Sequence, residues 1–152
     1  MAESDNRWAG RDAAPYVIGV DLGGTNIRAA LIDREGHILQ EERRPALSEQ
    51  APDATLANIR DAVAEVMEGQ GIEARDVVGI GIGLPGIMDD ARGVVFWSPN
   101  FPLWENVPVA QQVGGPTHLP VTLLNDAKCA ALGELGYGAA RGARNMVMIR
   151  LM

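Results

Sequence analysis

The stretch Val17 to Asp33 reads VIGVDLGGTNIRAALID. Two apolar-rich segments, Tyr16 to Leu22 and Ile27 to Asp33, have the composition of strands. They are joined through Asp21-Leu-Gly-Gly-Thr-Asn26, which supplies an acid, two glycines and a hydroxyl to a tight turn. Arg34-Glu35-Gly36-His37 reads as a second turn into a strand near Ile38 to Arg44, so the chain opens as a three-stranded antiparallel meander.

Beyond the meander, apolar residues recur at Leu56, Ile59, Val63, Val66 and Met67, a helical period that predicts a helix from Pro52 or Asp53 to Gly69 or Gly71. Val77 to Leu84, VVGIGIGL, is a strand whose alternating glycines admit a close neighbour, and it ends at Pro85-Gly86. Polar turns, short extended pieces and Phe96, Trp97, Phe101 and Trp104 fill residues 87 to 106. A short helix is expected over Val107 to Val113, then a strand over Pro120 to Leu124. A helix follows from Asn125 to about Tyr137, with Gly138 as its C-cap. Met146 to Leu151 reads as a last strand.

At 152 residues and 47% hydrophobic content, the chain is sized for one core. Thirteen basic against twenty acidic residues give a net charge of -7, which opposes attraction to nucleic acid or anionic lipid. Neither is an expected partner, and any phosphate must be held locally. The single cysteine, Cys129, excludes an intramolecular disulfide and a multi-cysteine zinc site, and reads as an inert thiol in a packed helix. No apolar run reaches the roughly 20 residues that span a bilayer. Residues 1 to 15 resemble neither a signal peptide nor a transit peptide. The expectation is a cytoplasmic protein with a flexible tail over residues 1–15, a tail too short for a helix-turn-helix.

Three stretches carry candidate chemistry. Gly23 and Gly24 lie between strands with no lysine after them, which excludes a Walker A loop. A hairpin turn can still offer backbone N–H groups to phosphate, with Thr25 adding a hydroxyl and Asp21 an oxygen ligand for hydrated magnesium. An ordinary Gly-Gly hairpin would read the same way. Asn125-Asp126 follows a strand and opens a helix, which fits an N-cap and a dipole-stabilised acid. It equally fits a carboxylate base at the ligand-binding end of a sheet. Gly86 and Asn100 serve as turn residues or as sugar contacts, asparagine having both donor and acceptor. His37 and His118 have no partner spaced for metal binding.

Three strands, helix, strand, short helix, strand and helix is an order similar to the ribonuclease H-like unit of the actin, hexokinase and Hsp70 superfamily, an α/β lobe with a mixed five-stranded sheet. Asp21-Leu-Gly-Gly-Thr-Asn26, Gly81-Ile-Gly-Leu-Pro-Gly86, Ser98-Pro-Asn100 with Trp104, and Leu124-Asn-Asp-Ala127 together resemble the ROK family of sugar kinases and sugar-responsive repressors. Ala130-Ala-Leu-Gly-Glu134 and Gly138-Ala-Ala-Arg-Gly-Ala-Arg-Asn145 extend the resemblance. It implies that Asp21, Gly23, Gly24, Thr25 and Asn26 form the first ATP-phosphate element, with Asp21 positioning magnesium through water. It implies that Gly86, Asn100, Asn125 and Asp126 contact a hexose, with Asp126 as the base facing its 6-hydroxyl. The activity implied is glucokinase-type transfer from ATP, with glucose the favoured substrate.

Members of that family continue from the strand matching Met146 to Leu151 into a second glycine loop and a second lobe, which in many carries a zinc site. This chain is expected to hold residues 16–145 as the N-terminal lobe, residues 146–152 as the first strand of the second, and no zinc site. Read alone it is a truncation, a deliberately single-lobe form or a frameshifted product, and inactive by itself. Two other readings stand beside the kinase: the sugar-sensing domain of a repressor without its DNA-binding segment, and a non-catalytic single-lobe module. That module would dimerise through the surface a second lobe would cover, its unpaired last strand inviting self-association; a homodimer is also the state expected of the kinase.

Overall fold

The computed structural model describes residues 10–11 and 13–149. The central sheet contains β1 (Tyr16–Leu22), β2 (Asn26–Asp33), β3 (Ile38–Pro45), β4 (Val77–Leu84) and β7 (Val121–Asn125), in the order β3-β2-β1-β4-β7. A separate hairpin pairs β5 (Ile87–Asp89) with β6 (Val94–Trp97). The helices are α1 (Pro52–Glu68), α2 (Val109–Thr117) and α3 (Asp126–Tyr137). β1, β2 and β3 form the expected antiparallel meander, while β1–β4 and β4–β7 pair in parallel through crossovers containing α1 and α2. The C-terminal ends of β1, β4 and β7 therefore lie along one edge, where ligands of open α/β sheets bind.

Alternation along the strands divides the sheet into two faces. Register places Ile18 opposite Leu31 and Ile80, Val20 opposite Ala29 and Ile82, and Ile82 opposite Leu123. All of these are buried, in one core with Leu56, Ile59, Val63 and Val66 of α1 and Val109 and Val113 of α2. α1 starts with Pro52 in its first turn and Asp53 near its positive end, and it stops where Gly69 N–H bonds to Glu65 O. Thr55, fully buried, donates to Ala46 O at 2.6 Å and ties α1 to the end of β3.

Three details depart from expectation. α2 begins at Val109, not Val107, because Val107 exchanges both backbone hydrogen bonds with Val95 and so extends the hairpin, leaving Pro108 as the N-cap. Residues 10–15 are pinned where they are described: the Arg11 guanidinium donates to Ala74 O, Val77 O and His118 O, and Arg34 donates to Ala14 O. Residues 1–9 and 12 of the expected tail lie outside the described residues. Met146 to Ile149 form no strand, since an extended segment becomes one only when a neighbour takes up its backbone groups. Arg150 to Met152 of that expected strand lie outside the described residues.

Candidate functional site

The second face of the sheet is built from the intervening positions. Gly19 lies opposite Ala30 and Gly81, Asp21 opposite Arg28 and Gly83, and Gly83 opposite Leu124. Small residues where large ones would fit leave a groove of about 630 Å³, whose lining includes Asp21, Gly83, Asp126 and Cys129. β1 supplies Asp21 one residue before it ends, and the first residue of α3, directly after β7, supplies Asp126, so the two acids expected from the sequence share one cavity.

Asn125 caps α3, its Oδ1 accepting the Ala127 N–H at 3.1 Å, and Asp126 Oδ1 accepts the same N–H at 2.9 Å. The capping account of Asn125 is therefore correct, and it also fixes where Asp126 stands. Four residues into α3, Cys129 has its Sγ 3.0 Å from the point a Gly83 Cβ would occupy. Burial pushes the Cys129 thiol up from its ordinary value, and the charges of Asp126 and Asp21 push it further. The thiol is thus held protonated, unsuited to nucleophilic work, and it marks both carboxylates as neighbours.

In the β1–β2 turn, Gly23 N–H donates to Asn26 O at 3.0 Å, and Thr25 O accepts the Ala46 N–H at 2.9 Å. These bonds close the turn, so Gly23 and Asn26 shape it, and the Gly24 N–H and the exposed Thr25 hydroxyl remain the turn's candidate donors to a phosphate. Asp21, an exposed carboxylate at the adjoining strand end, has the hard oxygen chemistry that magnesium prefers. The turn, one wall and the acid therefore fit a magnesium–nucleotide phosphate.

Gly86 follows β4 at φ +134, and a Cβ there would stand 2.3 Å from Trp97 O. Only glycine lets the β4 end pass this close to β6. Asn100 is exposed on a loop anchored from below by Phe101 and Trp104, buried rings with centroids 4.6 Å apart. Ser98 Oγ and Trp104 Nε1 of the same loop are buried without a hydrogen-bond partner among the described residues. Gly86 and Asn125 share a second cavity, about 340 Å³, with Asp90 and Lys128.

Sequence reasoning missed the contact between Gly83 and Cys129, although the i, i+3 spacing of Asp126 and Cys129 places both on one helical face. It also set His37 aside as lacking partners, yet ligand atoms of Asp33, Glu35 and His37 lie within 4.8 Å of one another. The Asp33 carboxylate there accepts the backbone N–H groups of Glu35 and His37 and meets the His37 ring at 2.9 Å, so it organises the β2–β3 turn. No helix among the described residues is long and apolar enough to cross a membrane.

A mixed five-stranded sheet with three strand ends converging on two acids and a glycine turn defines an actin- and hexokinase-like lobe, the fold of the ROK sugar kinases. The chain belongs to the ROK family, whose sequence model matches residues 17–152. It is 38% identical over 135 residues to the glucokinase of Thermotoga maritima, covering 89% of this chain and 41% of that protein. The ROK family glucokinase from Streptomyces griseus, solved with glucose and AMPPNP, is 37% identical with a TM-score of 0.73 over 84% of this chain and 38% of that one. The xylose repressor of Caldicellulosiruptor bescii is 32% identical over 122 residues, covering 80% of this chain and 30% of the repressor. The chain thus spans about two fifths of the length of the glucokinases it matches.

Proposed function

We propose that this chain is the N-terminal lobe of a cytoplasmic, homodimeric ATP-dependent hexose kinase that phosphorylates the 6-hydroxyl of glucose. The observation that carries the reading is the meeting of Asp21 and Asp126 in one cavity beside a glycine turn, on a lobe resembling a glucokinase solved with glucose and AMPPNP. Gly86, Asn100 and Asn125 bind and orient the sugar. Asp126, at the sheet edge, accepts the proton of the hydroxyl that attacks. Gly24 and Thr25 would hold phosphate oxygens, and Asp21 would hold magnesium. Magnesium bound there would neutralise charge on the phosphates. With a net charge of -7, the lobe attracts no anion at long range, so positioning carries the catalysis.

A sugar-sensing repressor domain is a second reading, favoured by the similarity to the xylose repressor. Equilibrium binding to the 152-residue chain separates the two. The kinase reading predicts glucose binding together with magnesium-dependent ATP binding that Asp21→Ala weakens at least tenfold. Sugar binding with no affinity for magnesium–ATP would favour the sensor, and a chain that binds neither would contradict both.

A further inference from the structure

We propose that Gly24 is a positioning residue for the sugar site: by lacking a side chain it sets the place of Asn100, so that the phosphate turn and the hexose loop are coupled in binding. The inference rests on the kinase reading and deepens it. Residues 24 and 100 come from opposite sides of α1 in sequence, yet a Cβ on Gly24 would lie 3.1 Å from both Cβ and Cγ of Asn100 and 3.3 Å from its Nδ2. The two turns meet with no more room than the missing methyl.

The glycine is required here for space. Gly24 is not among the residues with positive φ, so an alanine meets no backbone penalty at this position. The neighbour that would have to give is Asn100, at its Cβ as well as at its exposed amide. The backbone of Asn100 has little freedom to do so, because Ser98 and Phe101 form a β-bridge around it and Trp104 N–H bonds to Phe101 O at 3.0 Å over the buried ring pair. A methyl at residue 24 is therefore relieved by rotation of the Asn100 side chain, which clears Cγ and Nδ2, together with a shift of a few tenths of an ångström between the two turns, which clears Cβ; both re-aim the donor and acceptor offered to a sugar.

Gly24 also presents a backbone N–H to the phosphate. A nucleotide that fixes this turn fixes the wall against which Asn100 rests. By linkage, a sugar that holds Asn100 favours the nucleotide-bound turn by the same factor.

The test is a double-mutant cycle on the 152-residue chain, with glucose as the probe and affinity read by calorimetry or by NMR titration. Gly24→Ala is expected to weaken glucose binding at least fivefold while its thermal midpoint stays within about 3 °C of the parent. Asn100→Ala should weaken it comparably, and the double variant should bind no more weakly than Asn100→Ala alone. Saturating magnesium–ATP should tighten glucose binding at least threefold in the parent and leave Asn100→Ala unchanged. Losses that simply add, or a Gly24→Ala chain that binds glucose like the parent, would overturn the inference and leave the kinase reading standing. If Gly24→Ala does not fold, the nucleotide arm decides, and equal glucose affinity with and without magnesium–ATP overturns the coupling. A parent chain that binds no glucose removes the kinase reading, and the inference with it.

Discussion

The two faces of the central sheet are made by alternate residues of the same strands, and they were given opposite tasks. On one, Ile18, Val20, Ile80, Ile82 and Leu123 are packed under α1 and α2 and have essentially no exposure. Each such side chain contributes roughly 1.5–3 kcal/mol by leaving water. On the other, Gly19, Gly81 and Gly83 bury little, and the space they leave holds Asp21 and Asp126. Stability is concentrated on the large-residue face. The glycine face forgoes that stabilisation and gains room for a ligand.

Substitutions should respect this division. Ile82→Ala, on the packed face, is expected to lower unfolding free energy by about 2–5 kcal/mol in denaturant titrations. Thr122→Ala, one residue from Leu123 in register but on the open face, should change it by no more than about 0.5 kcal/mol. Equal costs at the two positions would erase the distinction between the faces.

At the site edge, Gly86→Ala forces a Cβ against Trp97 O at φ +134. The strained backbone alone costs about 1–3 kcal/mol. The expected outcome is a lowered thermal midpoint together with loss of glucose binding. Gly83→Ala is gentler, because its new methyl meets the Cys129 thiol. It should cost about 1 kcal/mol, the low end of overpacking, and Cys129→Ala should restore the midpoint by making room.

The smallest effect is electrostatic and lies away from the site. The backbone N–H of His37 holds the Asp33 carboxyl below its ordinary range; desolvation opposes it, and the ring of His37 and the N–H of Glu35 add to the lowering. Because the folded value is lowered, the stabilisation is complete above the unfolded carboxylate pKa of about 3.9 and fades as pH falls through the folded value. Asp33→Asn should therefore melt slightly below the parent at pH 7, with the gap closing in strong acid. A gap that widens in acid would contradict the assignment.

The packed face was legible in the sequence because burial and strand period leave the same trace. Leu56, Ile59, Val63 and Val66 announced α1, and the run Val77 to Leu84 announced β4. The candidate site residues stood out as short motifs at strand ends, Asp21 to Asn26, Gly86 and Asn125-Asp126, because turn and cap chemistry restricts residue choice there. Contacts between distant turns left no such trace. Nothing local to Gly24 names Asn100, and nothing local to Gly83 names Cys129. Val107 misled because an apolar residue before Pro108 suits a helix start as well as a bridge to Val95. Met146 to Ile149 misled because apolar alternation specifies a strand only where a partner strand is at hand.

Mapping of glucose on the ¹⁵N-labelled 152-residue chain tests most directly the claim that the edge formed by the strand ends is the hexose site. The account predicts saturable shifts confined to Gly86, Asn100, Asn125, Asp126 and their neighbours, with the amides of α1 unmoved. No saturable shift, or shifts centred on α1 and the packed face, would contradict it.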